Sequence, residues 1–146
     1  MKRKYFIIFD MLVLFFVLTI MTTGCGGGEK KVLPEISQEA IQMAIDQIVQ
    51  SEYVKDAAVT IKDRTISLAV VTSPLVSKNY AKDVGESFVR LFGSFTAVTD
   101  SELEAPTNDS YGGIYEYYDL LICVGTGTDN IIVSGAKVTG AKYISW

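Results

Sequence analysis

Ala57-Ala58-Val59-Thr60-Ile61-Lys62-Asp63-Arg64-Thr65-Ile66-Ser67-Leu68-Ala69-Val70-Val71 is the stretch that decides the fold. Ala57, Val59 and Ile61 alternate with Ala58, Thr60 and Lys62, and Ile66, Leu68 and Val70 resume the apolar alternation after a polar triplet, Lys62-Asp63-Arg64. Side chains two apart share one face of a strand, so this spacing predicts a β-hairpin with one apolar face. The turn has no Asn-Gly pair, and only the polar triplet marks it.

On the N-terminal side, residues 36–50 read as a helix. Ala40, Ile41, Ala44, Ile45, Ile48 and Val49 form one stripe, Ser37 is placed to cap the start, and Ile36 and Ile41 have the spacing of a hydrophobic staple. On the other side, Ser73-Pro74 breaks the second strand, and residues 77–92 read as a second helix. Its stripe is Tyr80, Ala81, Val84, Phe88, Leu91 and Phe92, with Ser77 as its cap and Gly93 as its end. Gly85 weakens this helix but permits close packing on a neighbour.

Residues 100–110 read as an acidic, proline-containing loop and residues 114–124 as a strongly apolar strand. Gly125-Thr126-Gly127 reads as a turn, residues 131–133 as a further strand, and Tyr143, Ile144 and Trp146 as a last apolar segment. Helix, two strands, helix, two or three strands is the order of an α+β two-layer sandwich, with two helices on one face of a mainly antiparallel sheet.

The second face of that sheet should be polar, yet the residues assigned to it are Ala58, Ser67, Ala69, Val71, Leu121 and Cys123. Large exposed apolar patches are rare on monomers, so something is expected to cover it. The leading expectation is the segment 135–146 folding across it; the alternative is a partner or a second subunit.

The chain has 146 residues and a formal charge of −4. Setting aside Lys2, Arg3, Lys4 and Asp10 leaves 10 basic and 16 acidic residues, near −6. An acidic domain gains nothing from counterion release, which argues against nucleic acid as a partner. With no histidine in the chain, serine and cysteine triads of the common kind are excluded. Of the two cysteines, Cys123 lies in an apolar run and is expected to behave as a small buried hydrophobe.

Lys2-Arg3-Lys4 followed by an apolar run to Met21 reads as the n- and h-regions of an export signal. The residues that follow, Thr22-Thr23-Gly24-Cys25, resemble the lipobox of bacterial lipoproteins, matching it at Thr23, Gly24 and Cys25. The resemblance implies removal of residues 1–24, lipidation of Cys25 with palmitate-type chains, and anchoring on the extracytoplasmic side of the cell membrane. Residues 25–35, with Gly26-Gly27-Gly28, then form a tether of roughly 15–20 Å reach, and residues 36–146 a single domain. The alternative, an uncleaved N-terminal membrane helix, places the domain on the same side.

Residues 36–98 also resemble, in element order, the BON-type domain of bacterial envelope proteins and related lipoproteins of spore-forming bacteria. The features that carry this are the first amphipathic helix, the hairpin and the second helix ending at Phe92-Gly93. The resemblance implies a non-catalytic domain that binds envelope surfaces or partner proteins, and it transfers no functional residue.

Four local patterns suggest chemistry. Ser134-Gly135-Ala136-Lys137 has the S-x-x-K spacing of penicillin-interacting serine enzymes, but in a strand context. Gly125-Thr126-Gly127 lacks the following helix that a phosphate cradle needs. Asp100, Glu102, Glu104 and Asp109 are oxygen donors without EF-hand spacing. Tyr111, Tyr115, Tyr117 and Tyr118 cluster with Glu116 and Asp119, and tyrosines beside carboxylates can line a sugar or peptide site. The candidate binding surface is therefore Tyr111, Tyr115, Glu116, Tyr117, Leu121 and Val71, with no metal and no cofactor expected. The function expected is binding or assembly, as a homodimer or with an envelope protein. The alternatives are a cell-wall-acting enzyme using carboxylates of the 100–119 region, and a small-ligand carrier with a pocket between helices and sheet.

Overall fold

The hairpin forms where the alternation places it. Strands β1 (Val54–Lys62) and β2 (Thr65–Thr72) pair antiparallel from Lys62↔Thr65 to Val54↔Thr72. Asp63 makes the turn with φ +54°, a left-handed conformation that aspartate tolerates better than most residues. The computed structural model describes residues 32–146; the residues read as an export signal and Cys25 lie outside them.

Helix α1 (Gln38–Ile48) starts at Ser37, whose hydroxyl accepts the Ala40 amide at 3.1 Å. Helix α2 (Lys78–Thr99) starts the same way at Ser77, which accepts the Tyr80 amide at 3.2 Å. Strands β3 (Asp119–Gly127) and β4 (Asn130–Lys137) complete a four-stranded sheet of order β1-β2-β3-β4. The outer pairs are antiparallel and the central pair, β2 with β3, is parallel. The fold is α+β, with both helices on one face of a mostly antiparallel sheet, as the element order predicts.

The core lies between the two layers. Ile66, Leu68 and Val70 of β2 and Leu120, Ile122 and Val124 of β3 are buried against Ala44 and Ile48 of α1 and Phe88, Val89 and Phe92 of α2. Burying such a side chain stabilises the fold by about 1.5–3 kcal/mol.

Four local readings are corrected. Helix α2 does not stop at Gly93 but runs to Thr99. Gly93 is no cap: a Cβ there would lie 2.2 Å from the Tyr111 carbonyl oxygen, so the glycine lets the 106–112 loop cross the helix. Residues 114–118 are not strand. Ile114 and Tyr115 are buried in a 3-10 turn, η1 (Gly113–Glu116), and β3 begins only at Asp119. Gly125-Thr126-Gly127 is not the turn but the end of β3; Gly125 and Gly127 pair with Ile131 and Asn130 across register shifts.

The fourth correction concerns the chain end. Ser145 pairs with Ala136 through two backbone hydrogen bonds of 2.8 and 2.9 Å, so the segment extends the sheet beyond β4. Ile144 is buried, and Trp146 enters a slot between Gly85 of α2 and Gly135 of β4, where a Cβ on Gly85 would approach its ring to 2.8 Å. This segment therefore packs on the helix side and leaves the second face of the sheet bare.

Candidate functional site

Strand alternation sorts the sheet residues onto two faces. Inward come the buried Leu68, Val70, Ile122 and Val124. Outward, the register aligns Thr60, Ser67, Leu121 and Ala136 in one row and Ala58, Ala69, Cys123 and Ser134 in the next. These two rows contain no charged residue. Leu121 is 47% exposed, Ala58, Ala69 and Ala136 are exposed, and Val71 and Cys123 are half-buried. Among the described residues no segment crosses this face. Cys123, expected as a buried thiol, stands in the middle of it.

The structure does not hold the candidate surface together as one site. Leu121 and Val71 lie on the open face, whereas Tyr115 is fully buried, donating its hydroxyl to the Val89 carbonyl at 2.9 Å, with burial pushing its phenol well above the usual range. Its surface role is overturned: η1 turns that ring into the core, where it ties the 111–118 segment to α2. Tyr118 is likewise mostly buried and donates to the Pro34 carbonyl at 2.9 Å, fixing where the chain enters the domain. Tyr117 borders a recess of about 170 Å³ with Leu33, Pro34 and Leu103, and its carbonyl accepts Arg64 at 3.1 Å.

Tyr111 and Glu116 share a different cleft, of about 180 Å³, with Asp109, Lys137 and Lys142. Tyr111 is held by Arg90, whose guanidinium carbon lies 4.8 Å from the ring centroid. The same guanidinium donates to the carbonyls of Thr107 and Ser110, at 2.7 and 3.2 Å, pinning one wall of the cleft to α2. Lys142 and Asp109 form an exposed ion pair of 3.4 Å at the rim. Lys137, at the end of β4, is 4% exposed and donates to the Tyr115 carbonyl at 3.0 Å. Burial pulls its ammonium below the usual lysine range, against the opposing pull of Glu116 and Asp119.

The serine-lysine pattern does not form a catalytic pair. Ser134 and Lys137 are three apart on one strand and so point to opposite faces; Ser134 is exposed outside and Lys137 is buried inside. Most carboxylates of the 100–119 region lie at the surface. Glu102, Glu104, Asp109 and Glu116 are all exposed, and Asp109 and Glu116 line one cleft. Asp119 instead accepts the Thr139 amide at 2.6 Å and its hydroxyl at 2.8 Å, and these bonds hold its carboxylate below the usual range. Among the described residues no three of His, Cys, Asp and Glu gather as a metal site.

A third concavity, about 370 Å³, is lined by Tyr53, Leu75, Val76, Ser77 and Tyr80. Tyr53 and Tyr80 meet edge to face at 5.8 Å, and Tyr53 has φ +66°.

Strand alternation predicts the small apolar residues of this face, but the expected cover, residues 135–146, packs elsewhere. Sequence reasoning missed Lys142 and Arg90 and dismissed Lys137 with the serine pattern. The signal available was a lysine in phase with the buried positions of β4. Comparison with family models, curated proteins and solved structures finds no match for this chain.

Proposed function

We propose that this protein is a lipid-anchored, extracytoplasmic binding domain without catalytic activity, and that its open sheet face docks a second copy of the same chain. The observation that carries the reading is the bare outer face: two uncharged rows across four strands, with Leu121 47% exposed near their centre.

Two features favour a second copy as the occupant. First, a domain with a net charge near −6 repels another copy over most of its surface, and the uncharged rows are where that repulsion is weakest at contact. Sheets of small side chains stack at about 10 Å. Second, the chain enters the domain beside the start of β3, where Tyr118 holds Pro34. A two-fold axis along the strands brings both entry points to the same end, as two copies anchored in one membrane require. Anchoring also raises the effective concentration of each copy for the other.

The anchor is the Cys25 lipid implied by the lipobox resemblance. With Cys25 acylated, Cys123 is the remaining thiol of the chain, which makes it a built-in reporter. Cells fed an alkynyl palmitate analogue are expected to label the wild type and not Cys25→Ala. A short bis-maleimide applied to membranes is expected to link two copies through Cys123. Labelling that survives Cys25→Ala contradicts the anchor. A crosslinked product of another mass points to a different envelope protein on the face, and contradicts the self-docking.

A further inference from the structure

The cleft behind Tyr111 holds a combination the sheet face does not explain. Lys137 is 4% exposed, yet its ammonium has one hydrogen-bond acceptor, the Tyr115 carbonyl at 3.0 Å. An ammonium carries three donors, and burying a charge that is not fully paired is costly. Among the described residues no carboxylate lies within 4.0 Å of it; the ion pair present is Lys142 with Asp109. Glu116 and Asp119 act on Lys137 only from farther away.

Around that lysine the cleft is charge-balanced. Lys137, Lys142, Glu116 and Asp109 all line it, together with Tyr111 and Ser110. A simple anion would satisfy Lys137 but would meet two carboxylates. A simple cation would meet the buried ammonium. The volume, about 180 Å³, falls below the roughly 300 Å³ at which pockets begin to take drug-sized ligands, and so admits only a few heavy atoms.

We propose that this cleft binds a small zwitterion of the α-amino-acid class, with its carboxylate on Lys137 and Lys142 and its ammonium on Glu116. The ligand adds a second acceptor to Lys137, whose ammonium otherwise has the Tyr115 carbonyl and lies 5.9 Å from the Tyr115 ring centroid, and displaces the weak rim pair of Lys142 and Asp109. Such exposed pairs contribute little, so opening one is no obstacle. The walls are set for this: Arg90 fixes the Thr107 and Ser110 carbonyls, and the Ser110 hydroxyl accepts the Gly112 amide at 3.1 Å. This site is independent of the docking proposed for the sheet face, which lies on the other side of β4.

The test is an NMR titration of the full-length chain in detergent micelles, following the amides of Gly112, Gly140 and Ala141. Glycine is the probe, and acetate and methylammonium are its two halves. Glycine is expected to shift these amides saturably at or below the order of 10 mM, with each half at least tenfold weaker. Lys137→Met is expected to weaken glycine tenfold or more. Glu116→Gln is expected to weaken glycine several-fold and leave acetate within twofold. Should Lys137→Met fail to fold, Glu116→Gln carries the test, because Glu116 is exposed. No saturable shift with glycine, acetate binding as tightly as glycine, or a glycine affinity untouched by both substitutions overturns the proposal.

Discussion

The two faces of one sheet follow different rules. On the inner face, Ile66, Leu68, Val70, Ile122 and Val124 are each at most 2% exposed and lock into the helices. On the outer face, the same strands carry Ser67, Ala69, Val71, Leu121 and Cys123, which are exposed or half-buried. The inner side chains are large and branched and the outer ones mostly small. Strand alternation makes this division unavoidable, and a one-residue slip would exchange the faces. The inner face therefore fixes the fold and the outer face is free to serve a partner.

That contrast gives its largest expected effect in a pair of truncations. In residues 29–146, Ile122→Ala is expected to lower unfolding free energy by about 2–5 kcal/mol, from lost burial and the cavity left behind. At concentrations low enough to keep the domain monomeric, its neighbour Leu121→Ala is expected to change stability by no more than about 0.5 kcal/mol. Urea unfolding of both variants measures the gap, and equal losses would mean the faces are not distinct.

The helix layer can be tested next. Gly93→Ala drives a methyl group into the Tyr111 carbonyl, 2.2 Å away, and is expected to destabilise by about 1–3 kcal/mol, as overpacking does. Gly85→Ala, against Trp146 at 2.8 Å, is expected to do the same and to shift the emission of the tryptophan. A Gly93→Ala variant as stable as wild type would return the glycine to a capping role.

These glycines also show where the sequence stops being readable. Periodicity located both helices, the hairpin and both sheet faces, because those signals are local. Gly93 and Gly125 read as punctuation, since glycine marks helix ends and turns more often than close approaches. Their roles here depend on the Tyr111 and Asn130 carbonyls, which come from distant or folded-back chain. Tyr115, Tyr117 and Tyr118 read as strand because tyrosine favours strands, whereas a buried hydroxyl bonded to Val89 holds Tyr115 in a turn. Of the six residues in the candidate surface, Leu121 and Val71 fell on the open face by alternation. The 111–117 residues were separated by a turn that tertiary packing imposes.

A smaller effect ties the end of β3 to the segment after β4. Asp119 accepts two hydrogen bonds from Thr139, so Asp119→Asn is expected to cost about 1–2 kcal/mol at neutral pH. Its folded-state pKa is lowered. The stabilisation is therefore complete above the unfolded value, about 3.9, and is lost as pH falls through the folded value. Thermal melts of both proteins from pH 7 downward are expected to run parallel above about pH 5 and to converge in more acid solution. A gap that stays constant into acid would remove Asp119 as its source.

The most direct test of the account is the mass in solution of residues 29–146, by light scattering over a concentration series, beside Leu121→Asp. Docking of a second copy on the open face predicts a mass that rises to twice the monomer with concentration. It also predicts that Leu121→Asp stays monomeric with an unchanged circular dichroism spectrum. A monomer at every concentration, or a dimer that Leu121→Asp leaves intact, would contradict it.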